Sequence, residues 1–189
     1  MNIDPYDFVH FTLYAMEKGI QGKTKLQKTV YFVGELSGCL GDLGYRAHYY
    51  GPYSEEVASA VGQLKALGFV DASNTTCGAD PRGFERIRTD YRLNEDGKAV
   101  AEMKVRKYPD LWNKVSRAVT RFEEKGDRDY IRLSIAAKTH FMRGKKRGPA
   151  TEQELCEFAN KYGWKVTPHQ VKEAAEYLES LRLVKVAKQ

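Results

Sequence analysis

The sequence predicts a mainly α-helical α+β protein with one small antiparallel hairpin and helices on either side of it. Three observations carry that prediction. Apolar residues recur at helical spacing in most segments, as in Val57, Ala60, Val61, Leu64 and Leu67. Helix-start chemistry precedes these runs: Asp4-Pro5, Ser54-Glu55-Glu56 and Thr151-Glu152-Gln153-Glu154. Strand-like alternation is confined to short stretches between residues 45 and 93.

Asp4 caps the first helix and Pro5 takes its first position. Phe8, Phe11, Thr12, Ala15 and Met16 form its stripe, and Gly19 ends it. Gly19, Gly22 and Lys23 are expected only to join two helices. Thr24 to Gln27 has the form of a capping box, followed by Leu26, Val30 and Val33, with Gly38 and Gly41 as the stop. YRAHYY, residues 45–50, alternates with period two and predicts a short strand with Tyr49 facing inward. Gly51-Pro52 breaks it, and Ser54 caps the helix from 55 to Leu67. Phe69-Val70 starts a strand, 73–83 predicts a loop, and 84–93 is the returning strand. Asn94 caps a helix through Lys107, Pro109 opens another, and Asp127 is expected to cap a third.

Helix, helix, strand, helix and hairpin is the order of a winged helix-turn-helix with a small β-hairpin wing. A C-terminal helical region with a second helix-turn-helix-like unit follows it. Val57, Ala60, Val61, Leu64, Leu67, Phe69 and Val70 match Val171, Ala174, Ala175, Leu178, Leu181, Leu183 and Val184 in order and spacing. Shared ancestry and a common helix-then-strand packing solution both account for the match. The expected organisation is a winged-helix domain at 1–107, connecting helices at 108–143 and the C-terminal unit at 150–189. RGKKRGPA, 143–150, is expected to be a linker.

Charge is uneven along the chain. The formal charge of +6 divides into 6 basic and 9 acidic side chains over 1–80, 19 and 10 over 81–150, and 6 of each over 151–189. The basic middle suits a polyanion-facing surface. No apolar run reaches membrane-spanning length, and MNIDPYDF has neither the basic nor the apolar region of a secretion signal. Cys39, Cys77 and Cys156 are scattered, as expected of reduced, buried thiols in a cytoplasmic protein.

No metal or cofactor is expected. The four histidines and three cysteines lack zinc-site spacing, and no P-loop or dinucleotide fingerprint occurs. Asp96, Glu102 and Lys104 could suggest a metal-dependent nuclease, but they fall within one helix, with 96 and 102 on nearly opposite sides. The expectation is therefore a non-enzyme with no catalytic residues, and a nuclease is the remote alternative.

Arg82, Arg86, Arg88 and Arg92 on the hairpin, and Arg143, Lys145, Lys146 and Arg147 in the linker, are the candidate phosphate contacts. The helix that would enter a major groove starts with Glu55 and Glu56, which repel phosphate. Either wing and linker dominate DNA binding, or the 53–67 helix serves a protein partner.

KTKLQKTVYFVGEL (23–36), HYYGPYSEEV (48–57) and LKALGFV (64–70) together resemble the YwgA-like proteins. These are similar to the Panacea domain of SocA-type antitoxins and phage-associated proteins. There a K-L-Q-K-x-x-Y-F helix precedes a Y-G-P-[YV]-S turn. The shared motif residues here are Lys25, Gln27, Lys28, Tyr50, Gly51, Pro52, Tyr53 and Ser54. Tyr50 and Tyr53 are expected to pack against the KLQK helix, with stacking on a partner as the alternative. The resemblance implies toxin neutralisation by protein contact for Panacea members and supplies no catalytic residues. The leading expectation is a non-enzymatic regulator binding DNA by phosphate contacts, with a homodimer compatible. The rival is an antitoxin-type protein-interaction module.

Overall fold

The computed structural model describes residues 3–79, 85–126, 129–145 and 150–184. The first half contains α1 (Pro5–Ala15), β1 (Ile20–Gln21), α2 (Lys23–Ser37), a 3-10 turn (Leu40–Leu43), α3 (Glu55–Ala66), β2 (Val70–Ala79) and β3 (Glu85–Leu93). Helices α4 (Glu95–Lys107), α5 (Pro109–Glu123), α6 (Tyr130–Lys145), α7 (Glu152–Asn160) and α8 (Pro168–Ser180) follow. The molecule is mainly helical, with one three-stranded antiparallel sheet in the order β1-β3-β2.

Most helix starts follow the local chemistry. Asp4 accepts from the Tyr6 amide, Ser54 Oγ from Val57 and Asn94 Oδ1 from Gly97, each at 2.9 Å. Thr151 with Glu154, and Thr167 with Gln170, form reciprocal capping boxes. Each such cap is worth about 1 kcal/mol.

Three local expectations are corrected, and a fourth falls outside the described residues. Helix α2 starts from Gly22 without a side-chain cap, because Gln27 is engaged elsewhere and Thr24 is not the N-cap. The 45–50 strand reduces to a single bridge between Arg46 and Tyr53, since the chain turns back at once through His48 to Gly51. The predicted 73–83 loop is strand through Ala79, where Thr and Ser pair across the ladder with β3. Asp127 lies outside the described residues, and Asp129 accepts from the Ile131 and Arg132 amides at the start of α6.

Strand β1 has no counterpart in the sequence reading. Its two residues pair with Tyr91 and Asp90, and Gly19 makes the approach feasible. Gly19 has φ +74°, and a Cβ there would sit 2.5 Å from the Tyr91 carbonyl oxygen.

The core has three connected parts. Phe8, Phe11, Val30, Val33, Val57 and Leu64 pack with the inner sheet residues Val70, Tyr91 and Leu93 and with Val115, Ala118 and Val119 of α5. Tyr31 and Phe32 open a second cluster with Phe122, Leu133, Tyr177 and Leu178. Met142, Leu155, Trp164 and Val171 form the third. Residues Leu26 to Gly34 are buried without a break, so α2 is enclosed on every side and joins the first two clusters. The α3 and α8 stripes bury alike at Val57 and Val171, Ala60 and Ala174, and Leu64 and Leu178. They part at the end, where Leu67 is 59% exposed and Leu181 is fully buried. No described helix is long and apolar enough to cross a membrane.

Candidate nucleic-acid interface

Strand alternation sorts the hairpin into two faces. Tyr91 and Leu93 enter the core, so Arg86, Arg88 and Arg92 share the opposite face with Asp90. Arg86 and Arg92 are exposed. Arg88 is held by Asp90 in a two-point ion pair, with Nε at 2.7 Å and Nη2 at 2.8 Å. On β2 the same face carries Asp71 opposite Arg92, Ser73 opposite Asp90 and Thr75 opposite Arg88. The row therefore presents three arginines against two aspartates. Arg82 lies outside the described residues.

The supposed linker begins inside α6. Arg143 and Lys145 belong to its last turn, and Lys145 Nζ sits 5.5 Å from the Phe141 ring centre. Lys146 and Arg147 lie outside the described residues. The hairpin adjoins the start of α2, where Gly22 faces Arg88. Arg143 follows His140, which meets Tyr31 and Glu35 in the second half of that helix. The two basic groups thus have different neighbours.

Helix α3 exposes Glu55, Glu56, Ser59 and Gln63. The Glu56 carboxylate also accepts from Ser54 Oγ at 3.2 Å and covers Gly44. Glu102 accepts from the Tyr14 hydroxyl at 3.4 Å, and Lys104 donates to Asp7 at 2.5 Å. Both bonds tie α4 to α1, and Asp96 stands apart on the exposed side. Among the described residues no three His, Cys, Asp or Glu side chains group as a metal site.

The family-motif residues converge far more tightly. Gln27 reaches from α2 to Ser54, donating to its carbonyl at 2.9 Å and accepting from its amide at 3.1 Å. Lys28 is almost wholly buried and donates to the Pro52 carbonyl at 2.5 Å. Burial and the nearby Lys138 charge bring its amine down to about 7. The Tyr45 hydroxyl donates to the Gln27 carbonyl at 2.7 Å. Lys25, half-buried, lines a separate cleft beside Gln21 and Thr120.

The turn itself runs from His48 to Gly51, closed by the Gly51 amide donating to the His48 carbonyl at 2.9 Å. Tyr49 and Tyr50 are its two central residues. They stand 70% and 62% exposed, their rings edge to face at 4.9 Å. This corrects the inward placement of Tyr49 and the packing of Tyr50 on the KLQK helix, because central turn positions point away from the chain that closes them. Tyr53 is half-buried and its ring lies 5.0 Å from that of His48.

Three participants carried no local signal. Trp164 Nε1 donates to the His48 carbonyl at 2.6 Å from the loop between α7 and α8. The Lys138 stem packs where a Cβ on Gly51 would stand, 3.1 Å from its Cγ. The Tyr31 hydroxyl meets His140 Nδ1 at 2.8 Å, and His140 Nε2 faces Glu35 at 3.7 Å. Burial lowers the His140 imidazole, opposed by the Glu35 charge.

The chain is similar to the uncharacterized protein YwgA of Bacillus subtilis (strain 168). The two are 33% identical over 92 residues, covering 49% of this chain and 51% of YwgA. The YwgA-like resemblance read from the motifs is borne out at that level. This chain thus aligns with about half the length of YwgA. No family model matches the chain.

Proposed function

We propose that this protein is a non-enzymatic regulator that grips the DNA backbone with the β2–β3 hairpin of a winged helix. The order α1, β1, α2, α3, β2, β3 with a β1-β3-β2 sheet supports the winged-helix reading. The observation that carries the DNA reading is the solvent-side row of Arg86, Arg88 and Arg92 on β3. Asp90 holds the Arg88 guanidinium plane in place, so Arg86 and Arg92 are the free phosphate ligands of the row. Glu55 and Glu56 in the first turn of α3 keep that helix from inserting as a base reader. Binding is then carried by phosphates and insensitive to sequence.

Fluorescence anisotropy of a random-sequence duplex, titrated at several salt concentrations, tests this reading. The expected affinity falls steeply with salt, with a slope of roughly 0.9 per phosphate contact. Arg86→Glu/Arg92→Glu abolishes it. Affinity that does not change with salt or with those substitutions overturns the proposal.

A second reading, a protein-binding module, is favoured by the exposed α3 surface. Glu55, Glu56 and Gln63 lie on it, and Leu67 at its end is 59% exposed. A partner captured by the wild type and lost with Glu55→Lys/Leu67→Asp, with no duplex binding at low salt, supports this reading over the first.

A further inference from the structure

A second concentration of positive charge lies away from the hairpin and the linker. Arg117, Arg121 and Lys125 recur every four residues along the solvent side of α5 and its continuation. Together with Arg182 they line a cleft of about 440 Å³ between α5 and the end of α8. Glu124 is the one carboxylate in that lining among the described residues. Three hydroxyls complete the walls: Ser116, Thr120 and Ser180.

The cleft is built on a fixed frame. Arg121 donates through Nη2 to the Leu181 carbonyl at the C-terminal end of α8, joining the two walls. That leaves Arg117, Lys125 and Arg182, all exposed, as cations facing the opening. Arg182 has φ +54°, a left-handed conformation that glycine adopts most easily after a helix. The chain thus presents a guanidinium where a glycine would ordinarily stand. The three side-chain hydroxyls each donate inward to a backbone carbonyl, Ser116 to Asn113, Thr120 to Ser116 and Ser180 to Tyr177.

A neighbouring cleft lies between this one and the root of the hairpin. Ser116 and Thr120 line that cleft, of about 550 Å³, which is bounded by Arg92 and Lys98 at the root of β3 and α4. Glu17, Glu102 and Glu123 line it too, so the continuity is one of surface and not of unbroken positive charge.

We propose that the α5–α8 cleft is a second phosphate-binding surface, taking the sugar–phosphate backbone of the same duplex that the hairpin grips. Four cations against one carboxylate match a polyanion, and guanidinium groups in a fork suit phosphate oxygens. An acidic protein segment would meet the same charges, but Arg92 at the root of the hairpin, reached over the Ser116–Thr120 wall, favours one long, uniformly charged ligand.

The inference rests on the DNA reading of the hairpin, and the test separates the two. Duplex affinity and its salt slope are compared for the wild type, Arg86→Gln/Arg92→Gln and Arg117→Gln/Lys125→Gln/Arg182→Gln, with circular dichroism and thermal melting as controls for folding. The cleft variant is expected to bind at least about tenfold more weakly, with a salt slope smaller by roughly 0.9 for each contact removed. A cleft variant equal to wild type, beside a weakened hairpin variant, overturns this proposal and leaves the hairpin reading standing. The reverse pattern overturns the hairpin reading and keeps the cleft. No duplex binding by any form overturns both. Poly-L-glutamate is the second probe: wild-type binding to it that exceeds duplex binding and is lost in the cleft variant reassigns the cleft to an acidic protein and overturns the nucleic-acid assignment.

Discussion

Lys28 Nζ lies 2.5 Å from the Pro52 carbonyl oxygen, inside the protein, without a carboxylate in the contact. A charged lysine in that setting is costly, which is why burial and Lys138 bring it from 10.5 to about 7. The consequence for stability has a definite sign. Between about 7 and 10.5 the unfolded chain holds this proton and the native state does not, so stability rises with pH across the window. Urea unfolding of wild type and Lys28→Met at pH 7 and pH values up to about 10 checks it. The wild-type stability is expected to gain on the variant as pH rises. A constant difference between the two would mean that Lys28 keeps its ordinary titration.

Gln27 holds the other side of the same corner with two hydrogen bonds to the Ser54 backbone. Gln27→Leu removes both and leaves the buried Ser54 amide unpaired at the first turn of α3, while the Ser54 carbonyl still accepts from the Ala58 amide. The expected loss is about 2–3 kcal/mol, set by the penalty for one unsatisfied buried amide. Ser54→Ala removes the cap and the hydroxyl's bond to Glu56 but keeps both Gln27 bonds, and is expected to lose about 1 kcal/mol. Chemical denaturation of both variants gives the ordering directly.

Gly51 is constrained twice. Its φ of +100° disfavours any side chain, and an added Cβ would press on the Lys138 stem at 3.1 Å and the Ser134 carbonyl at 3.5 Å. Gly51→Ala is therefore expected to destabilise by more than the roughly 1 kcal/mol that the backbone conformation alone would cost. Pairing it with Lys138→Ala in a double-mutant cycle isolates the steric part, and a coupling of zero would show that Lys138 simply moves aside.

Much of the helix pattern was legible because caps and stripes are local. Asp4, Ser54, Asn94 and Thr151 each bond within three residues of themselves, and each starts a helix as the sequence predicts. The failures share the opposite property. Gln27 has capping-box spacing from Thr24, but its amide bonds to a residue twenty-seven positions away. Tyr49 alternates like a strand residue, yet the chain reverses at His48 and leaves it in solvent. β1 is two residues long and exists only because β3 returns beside it. For the candidate interface, residue type identified Arg86 and Arg92, but the sequence did not show that Asp90 occupies Arg88. The basic row on α5 is not legible in the sequence, because a charge every fourth residue reads as an ordinary solvated helix face until Arg182 closes the cleft.

Two buried histidines set the acid limit. His10 donates through Nε2 to the Gly97 carbonyl at 2.8 Å, and burial is the main cause that lowers its imidazole below 6.5. His140 is lowered for the same main reason beside Tyr31. As pH falls through 6.5 the unfolded state takes up protons that the native state resists, so stability declines on the acid side of that value. Denaturation midpoints are expected to drop between about pH 7.5 and about pH 5, either side of the ordinary imidazole value of about 6.5, and His10→Phe and His140→Phe are each expected to flatten that drop. An unchanged pH profile in both variants would assign the acid sensitivity to carboxylates.

Trp164 couples the C-terminal helices to the motif turn through one bond and one packed ring. Its Nε1 donates to the His48 carbonyl, and its ring is 1% exposed beside Tyr162 and Phe141. The two contributions separate by substitution. Trp164→Phe keeps a ring in the third core cluster and loses the donor, while His48 still accepts from Gly51. The expected loss is about 1 kcal/mol from the hydrogen bond plus the volume difference. Trp164→Ala empties the cluster and is expected to cost about 3–5 kcal/mol. Hydrogen exchange at the Gly51 amide reads the coupling itself, because that amide closes the turn on the carbonyl that Trp164 holds. Faster exchange in Trp164→Phe, with amides in α1 unchanged, places the effect in the turn. Equal acceleration throughout would mean that the substitution lowers only global stability and that the bond to His48 contributes nothing of its own.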